Sequence, residues 1–153
     1  MKENSKPQRT AKAEGALAAL VSLTRTYHRT INALEGHIGM TAARWRILYN
    51  VHAVADCTQK QLIELIEVDP GSITRQVKRL EAEGLIRRED DPRDNRLTRL
   101  FLTARGRQLV DRRLRQIDDF LQGMLRDLPD AEVRVLKSAL DRIFHNLSTD
   151  SGR

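Results

Sequence analysis

The stretch SITRQVKRLEAEGLIRREDDPRDNRLTRLFLT, Ser72 to Thr103, constrains the fold more than any other part of the chain. Ile73, Val77 and Leu80 recur at helical spacing and Gly84 follows as a stop, so Ser72 to Glu83 reads as a helix. With those three residues inward, Ser72, Thr74, Arg75, Lys78 and Arg79 are left on the outer face, and Arg75, Lys78 and Arg79 precede the first acid, Glu81. Beyond Gly84, LIRRE and LTRLFL are short and rich in β-formers, and DDPRDNR separates them. That pattern predicts a β-hairpin whose loop is longer than a tight two-residue turn. Few small folds place a basic helix directly before such a hairpin.

The remainder of the chain supplies helices. From Ala13 the apolar positions Leu17, Leu20, Val21, Ile31, Leu34 and Ile38 fall near helical spacing, with Gly36 and Gly39 as punctuation. Thr41 is placed to cap AARWRILYNVHAVAD, in which Trp45, Leu48, Val51 and His52 share one side. Thr58 with Gln61 three residues on forms a capping-box pattern for TQKQLIELI, and VDPGS then breaks the chain before the basic helix. Two short helices about that turn predict a helix-turn-helix. After the hairpin, Thr103 caps a long helix to about Met124, striped by Leu109, Leu114, Ile117, Phe120 and Leu121. Pro129 suits the start of a last helix carrying Val133, Leu136, Leu140, Ile143 and Leu147.

The expected fold is mainly α with a small β-hairpin wing: a winged helix-turn-helix plus terminal helices that form a dimerisation region. Its expected segments are a flexible stretch over 1–12, a dimerisation helix over 13–40, the winged core over 41–106, dimerisation helices over 107–148 and a tail over 149–153. At 153 residues the chain suits one compact domain, or two lobes sharing a core.

A helix of this width fits the major groove of B-DNA, where Arg bridges guanine acceptors and Ser or Thr meets base edges or phosphate. Arg93 and Arg96, projecting from the hairpin loop beside it, reach the adjacent minor groove. Asp94 reads as a brace that orients Arg88 or Arg96. The plain alternatives are a solvated charged face and an ordinary polar turn, but they leave the coincidence of helix and hairpin unexplained. A net charge of +6 agrees with an anionic partner, and only 4% aromatics argues against an aromatic binding platform.

At these residues the chain resembles the MarR family of bacterial regulators. The likeness is carried by the RLEAEGLI helix end, Arg88, the wing pattern Asp94-x-Arg96 and the LTARG junction at Thr103 and Gly106. The TAARWRIL helix and the terminal helices follow the family's order, so the likeness spans almost the whole chain. It implies a homodimer held by the first and the last two helices, with the recognition helix in the major groove and a wing Arg in the minor groove of a pseudo-palindrome. It also implies repression that a ligand or oxidation relieves. By the same match Ser72, Thr74 and Arg75 face the groove, Arg96 is the wing-tip contact, and Arg88 and Asp94 support it. Lys78, Arg79 and Arg93 join them on charge and position alone.

The resemblance also implies a small-molecule effector, since similar proteins bind phenolic or carboxylate compounds between the dimer helices and the winged lobe. Tyr27, His28, Trp45, Arg46 and Tyr49 would offer aromatic walls and a cation, although core packing also accounts for Trp45 and Tyr49. No cofactor, metal or catalytic group is expected: His28, His37, His52 and His145 are dispersed, and neither paired cysteines nor a Ser-His-Asp grouping is present. Cys57 stands alone, which fits a reducing compartment, and reads as a small packed residue rather than a redox sensor. The N-terminus lacks the apolar run of a signal peptide and no segment is long and apolar enough for a bilayer, so a cytoplasmic protein is expected. Two other readings remain open at this level: a winged module that binds a protein or DNA without sequence preference, and a metal- or redox-responsive regulator.

Overall fold

The computed structural model describes residues 11–66, 69–94 and 96–150. Helix α1 spans Ala11–Ile38, α2 Ala42–Ala53, α3 Gln59–Ile66 and α4 Pro70–Ala82. Strands β1 (Ile86–Asp90) and β2 (Thr98–Leu102) form the hairpin, followed by α5 (Ala104–Met124) and α6 (Asp130–Asp150). This is a winged helix fold, mainly helical with one antiparallel hairpin, as the sequence predicts. Most of the expected flexible stretch and tail lie outside the described residues; the backbone is already helical at Ala11.

The helix ends follow local chemistry. Thr41 accepts from the Arg44 amide as the α2 cap. Thr58 and Gln61 form the expected reciprocal box: the Gln61 amide donates to Thr58 Oγ1 at 3.2 Å and the Thr58 amide to Gln61 Oε1 at 2.9 Å. Thr103 Oγ1 accepts from the Gly106 amide at 3.0 Å and caps α5. Three expectations need correction. Gly36 lies inside α1, which runs on to Ile38 and ends at Gly39 in the left-handed region (φ +62°). Helix α4 starts at Pro70 rather than Ser72, because Asp69 Oδ2 accepts from the Ser72 amide at 2.7 Å and Pro70 has no amide proton to strand in the first turn. In α2 the buried face is Ile47, Leu48 and Val51, while His52 is exposed beside the helix end.

The chain divides into two compact units, residues 1–117 and 118–153. In the first, one core gathers Ile47, Leu48, Val51, Leu62, Ile66, Ile73, Val77, Leu80, Ile86, Leu100, Leu102 and Val110. Every element of the winged region therefore contributes to the same interior. Hairpin register pairs Ile86 with Leu102 and Arg88 with Leu100, so the strands bury Ile86, Leu100 and Leu102 against the helices. The outer edge of β2 is covered: the Leu100 amide donates to the Cys57 carbonyl at 2.8 Å and Thr58 bridges Arg99. The hairpin's return onto α5 is closed by the Thr103 amide donating to Leu85 O at 3.0 Å. Gly106 is required there, because a Cβ would lie 2.1 Å from Leu85 O. In the second unit, Val135, Leu136, Ile143, Phe144 and Leu147 of α6 are exposed.

Candidate nucleic-acid interface

Helix α4 places its side chains as its period dictates. Ile73, Val77 and Leu80 are buried; Arg75, Lys78 and Arg79 are exposed, and Ser72 and Thr74 are half-buried. The α3–α4 packing is locked by polar contacts as well as apolar ones. Gln59 Nε2, at the start of α3, donates to Thr74 Oγ1 at 3.1 Å, and Thr74 Oγ1 donates to Pro70 O at 2.9 Å. Arg46 reaches from α2 to donate to Ile66 O at 2.8 Å, satisfying a carbonyl at the C-terminal end of α3. Arg75 stands 3.8 Å from the exposed Asp69 carboxylate, a loose contact that leaves its guanidinium available.

The wing is organised around a residue the sequence reading passed over. Asp91 is only 6% exposed. Its Oδ1 accepts from the amides of Arg93 at 2.7 Å and Asp94 at 3.2 Å, and its Oδ2 from Arg99 Nε at 2.6 Å. The Arg93 amide, then the Arg99 guanidinium, hold the Asp91 carboxyl below its ordinary range. Arg99 in turn meets Asp56 at 3.3 Å, tying the wing base to the α2–α3 turn, where Asp56 itself has φ +54°. Asp94 contributes by accepting from the Arg96 amide at 3.0 Å, which shapes the backbone beneath the tip. Arg88 instead lies 3.8 Å from Glu81 of α4. Arg93 and Arg96 are exposed on this braced loop. The DPRD run carried a signal for Asp91, since an Asp before Pro commonly accepts from amides two and three residues on. No local signal pointed to Arg99, whose partners come from two separate segments.

A second charged cluster closes the far end of α4. The Arg44 guanidinium forks the Glu83 carboxylate, with Nη1 to Oε1 at 2.7 Å, and Arg105 Nη1 donates to the Glu83 carbonyl at 3.2 Å. The hydrogen bond from Arg44 holds the Glu83 carboxyl below its usual range and raises Arg44. Beside this pair opens a cavity of about 660 Å³ whose wall includes Arg79, Arg105, Arg112 and Arg113, with Leu85 and Leu109.

None of the five residues expected to line a ligand pocket borders that cavity. Tyr27 and His28 meet edge-on at 5.5 Å on α1, Trp45 and Tyr49 lie 5.8 Å apart on α2, and Arg46 is engaged with α3. Cys57 is buried, its thiol pushed up by desolvation. Among the described residues no group of three His, Cys, Asp or Glu side chains is disposed to hold a metal. No helix there is long and apolar enough to cross a membrane.

Comparison with known proteins agrees with this geometry. The sequence model of the MarR family matches residues 38–97, from the end of α1 to the wing. YdgJ of Bacillus subtilis, an uncharacterized HTH-type transcriptional regulator, is 28% identical over 114 residues, 74% of this chain and 70% of its own. The HTH-type transcriptional repressor IacR of Pseudomonas putida is 26% identical over 123 residues, 80% of this chain and 74% of its own. A cysteine-to-serine mutant of Escherichia coli MarR, solved with operator DNA, superposes with a TM-score of 0.72 at 25% identity, covering 82% of this chain and 95% of that one. These relatives are regulators and not enzymes. The family match over the winged region, the curated regulators and the solved structures together support a winged helix regulator of the MarR type.

Proposed function

We propose that this regulator is a homodimer that reads a pseudo-palindromic site in double-stranded DNA and represses from it in the cytoplasm, until a small aromatic or carboxylate ligand releases it. The observation that carries the reading is the pairing of a rigidly braced wing with an exposed basic helix. Ser72, Thr74, Arg75 and Lys78 on α4 would enter the major groove, with Arg79 toward its end. Arg96, with Arg93, would enter the minor groove, supported by Asp94 and Arg88 and above all by Asp91. The operator complex of the E. coli relative and the likeness to the repressor IacR support the same direction.

Dimerisation is supported by surface chemistry. Leu17, Leu20, Val21 and Tyr27 of α1, and Val135, Phe144 and Leu147 of α6, are exposed in the single chain. Large apolar side chains repeated along one helix favour burial against another surface, and a two-fold copy would set two winged regions about one helical turn apart. The arginine-walled cavity supports an anionic ligand, because only Glu83 offsets its guanidinium groups. A ligand there would act only by favouring one arrangement over another.

The deciding experiment is selection of bound duplexes from a random pool at physiological salt, then footprinting. A palindrome with half-sites about 10 bp apart is the expected result. Salt-sensitive binding with no enriched sequence would overturn the reading in favour of a non-specific or protein-directed module.

A further inference from the structure

We infer that Thr74 reads the 5-methyl group of thymine, and that Gln59 sets this by occupying its hydroxyl. The inference rests on α4 entering the major groove. A threonine hydroxyl has one proton and two lone pairs. Here the proton is committed to Pro70 O at 2.9 Å, and one lone pair accepts from Gln59 Nε2 at 3.1 Å. Thr74 therefore has no proton for the acceptors of the groove floor, guanine N7 and O6 or thymine O4, and none for a phosphate oxygen. What it still offers is the γ-methyl and one lone pair on an oxygen that already has two partners.

Gln59 makes this arrangement persistent. It is half-buried at the first turn of α3, and its Oε1 is buried with no hydrogen-bond partner in the structure. Losing Thr74 would strand the amide's donor as well as its acceptor, so the pair resists rearrangement. The hydroxyl also bonds within its own helix, to the carbonyl four residues back, which fixes the side-chain rotamer and hence the methyl's position. Apolar contact with the thymine methyl is the natural use of a threonine held in this way, and adenine-thymine pairs are expected at the matching position of each half-site. Lys78, one turn on along α4, is exposed and suits the neighbouring backbone or base.

The test uses the full-length protein and the duplex recovered by selection. Each thymine in turn, with its symmetry mate, is replaced by uracil, which removes the methyl and leaves every hydrogen-bonding group in place. At one symmetric pair the wild type should weaken by about fourfold per half-site, the worth of one buried methyl. Thr74→Ser retains both hydrogen bonds and lacks the methyl, so it should bind the thymine and uracil duplexes equally. Thr74→Val retains the methyl and should keep the wild-type ratio, whatever it loses in melting temperature. Equal uracil penalties in wild type and Thr74→Ser would overturn the inference. So would a ratio kept by Thr74→Ser and lost in Thr74→Val, which would assign reading to the hydroxyl. An enriched site whose thymines all tolerate uracil defeats this inference alone; a pool with no enriched sequence defeats the sequence-specific reading together with it.

Discussion

Replacing Gly106 with Ala should unfold the junction that mounts the wing on the helices. The added Cβ would sit 2.1 Å from the Leu85 carbonyl oxygen and 3.1 Å from its carbon, both backbone atoms. Relief needs a shift of about 1.4 Å, since non-bonded contacts settle near 3.5 Å. That oxygen accepts from the Thr103 amide at 3.0 Å, while Thr103 Oγ1 donates to the Gly84 carbonyl at 2.7 Å, so movement on either side loosens the closure of the hairpin. Overpacking of this kind costs about 1–3 kcal/mol, and a weakened backbone hydrogen bond adds about 1 kcal/mol. The Gly-to-Ala gain within a helix returns about 0.5–1 kcal/mol. The net loss is about 1–3.5 kcal/mol, or a fall of roughly 2–14 °C in Tm for a chain of this size. Thermal unfolding followed by circular dichroism, at one fixed protein concentration because association shifts Tm, measures it. Gly123→Ala in the same helix is the internal control: nothing lies within 4 Å of its Cβ, so it should gain about 0.5 kcal/mol. If Gly106→Ala melts at or above the wild type, the close approach of α5 to Leu85 is wrong.

Arg96→Ala should cost about 1–3 kcal/mol of operator binding, seen in a titration by fluorescence anisotropy, with Tm unchanged because the wing-tip side chain is exposed. Asp91→Asn should weaken operator binding although position 91 lies beneath the wing surface, since it removes the nearer of the two carboxylates that hold Arg99 while leaving the loop's length unaltered. The Asp91 carboxyl is held below its ordinary range in the folded state, so its contribution is complete above about pH 4 and disappears as pH falls through the lowered value. Unfolding midpoints measured from pH 6 downward should therefore fall less steeply in Asp91→Asn than in the wild type; parallel curves would refute the assignment. Arg44→Ala should lower stability by only about 0.5–1 kcal/mol by urea denaturation, because the Arg44–Glu83 pair is partly exposed and solvent screens it.

The architecture was legible in the sequence to the extent that its signals were short-range. Thr41, Thr58 with Gln61, and Thr103 cap the helices they were expected to cap, because a cap acts on amides two or three residues away. The burial of Ile73, Val77 and Leu80 followed from helical period, and so did the exposure of Arg75, Lys78 and Arg79. The hairpin could be read from strand composition on both sides of DDPRDNR. Errors of local reading were small: α4 begins at Pro70 rather than Ser72 because Asp69 caps it and Pro70 fits the first helical position, and Gly36 is tolerated in a helix that runs on past it.

Partners far apart in the chain were another matter. Asp91 and Arg99 are eight residues apart, and Asp56 joins them only because β2 runs alongside the α2–α3 turn. Arg44 and Glu83 are separated by 39 residues, and Gln59 and Thr74 by 15. Arg46, suited by charge to a ligand's carboxylate, is spent on the carbonyl of Ile66, 20 residues away. Periodicity states which face of a helix is polar, but a polar side chain's role depends on what lies opposite it. Hydrogen bonds and ion pairs are short-ranged and directional, so that partner exists only once hydrophobic burial has packed the elements together. The linear order of residues therefore announced a winged helix and its basic face, while the packed chain chose Asp91 to hold the wing and left Thr74 with its methyl to present.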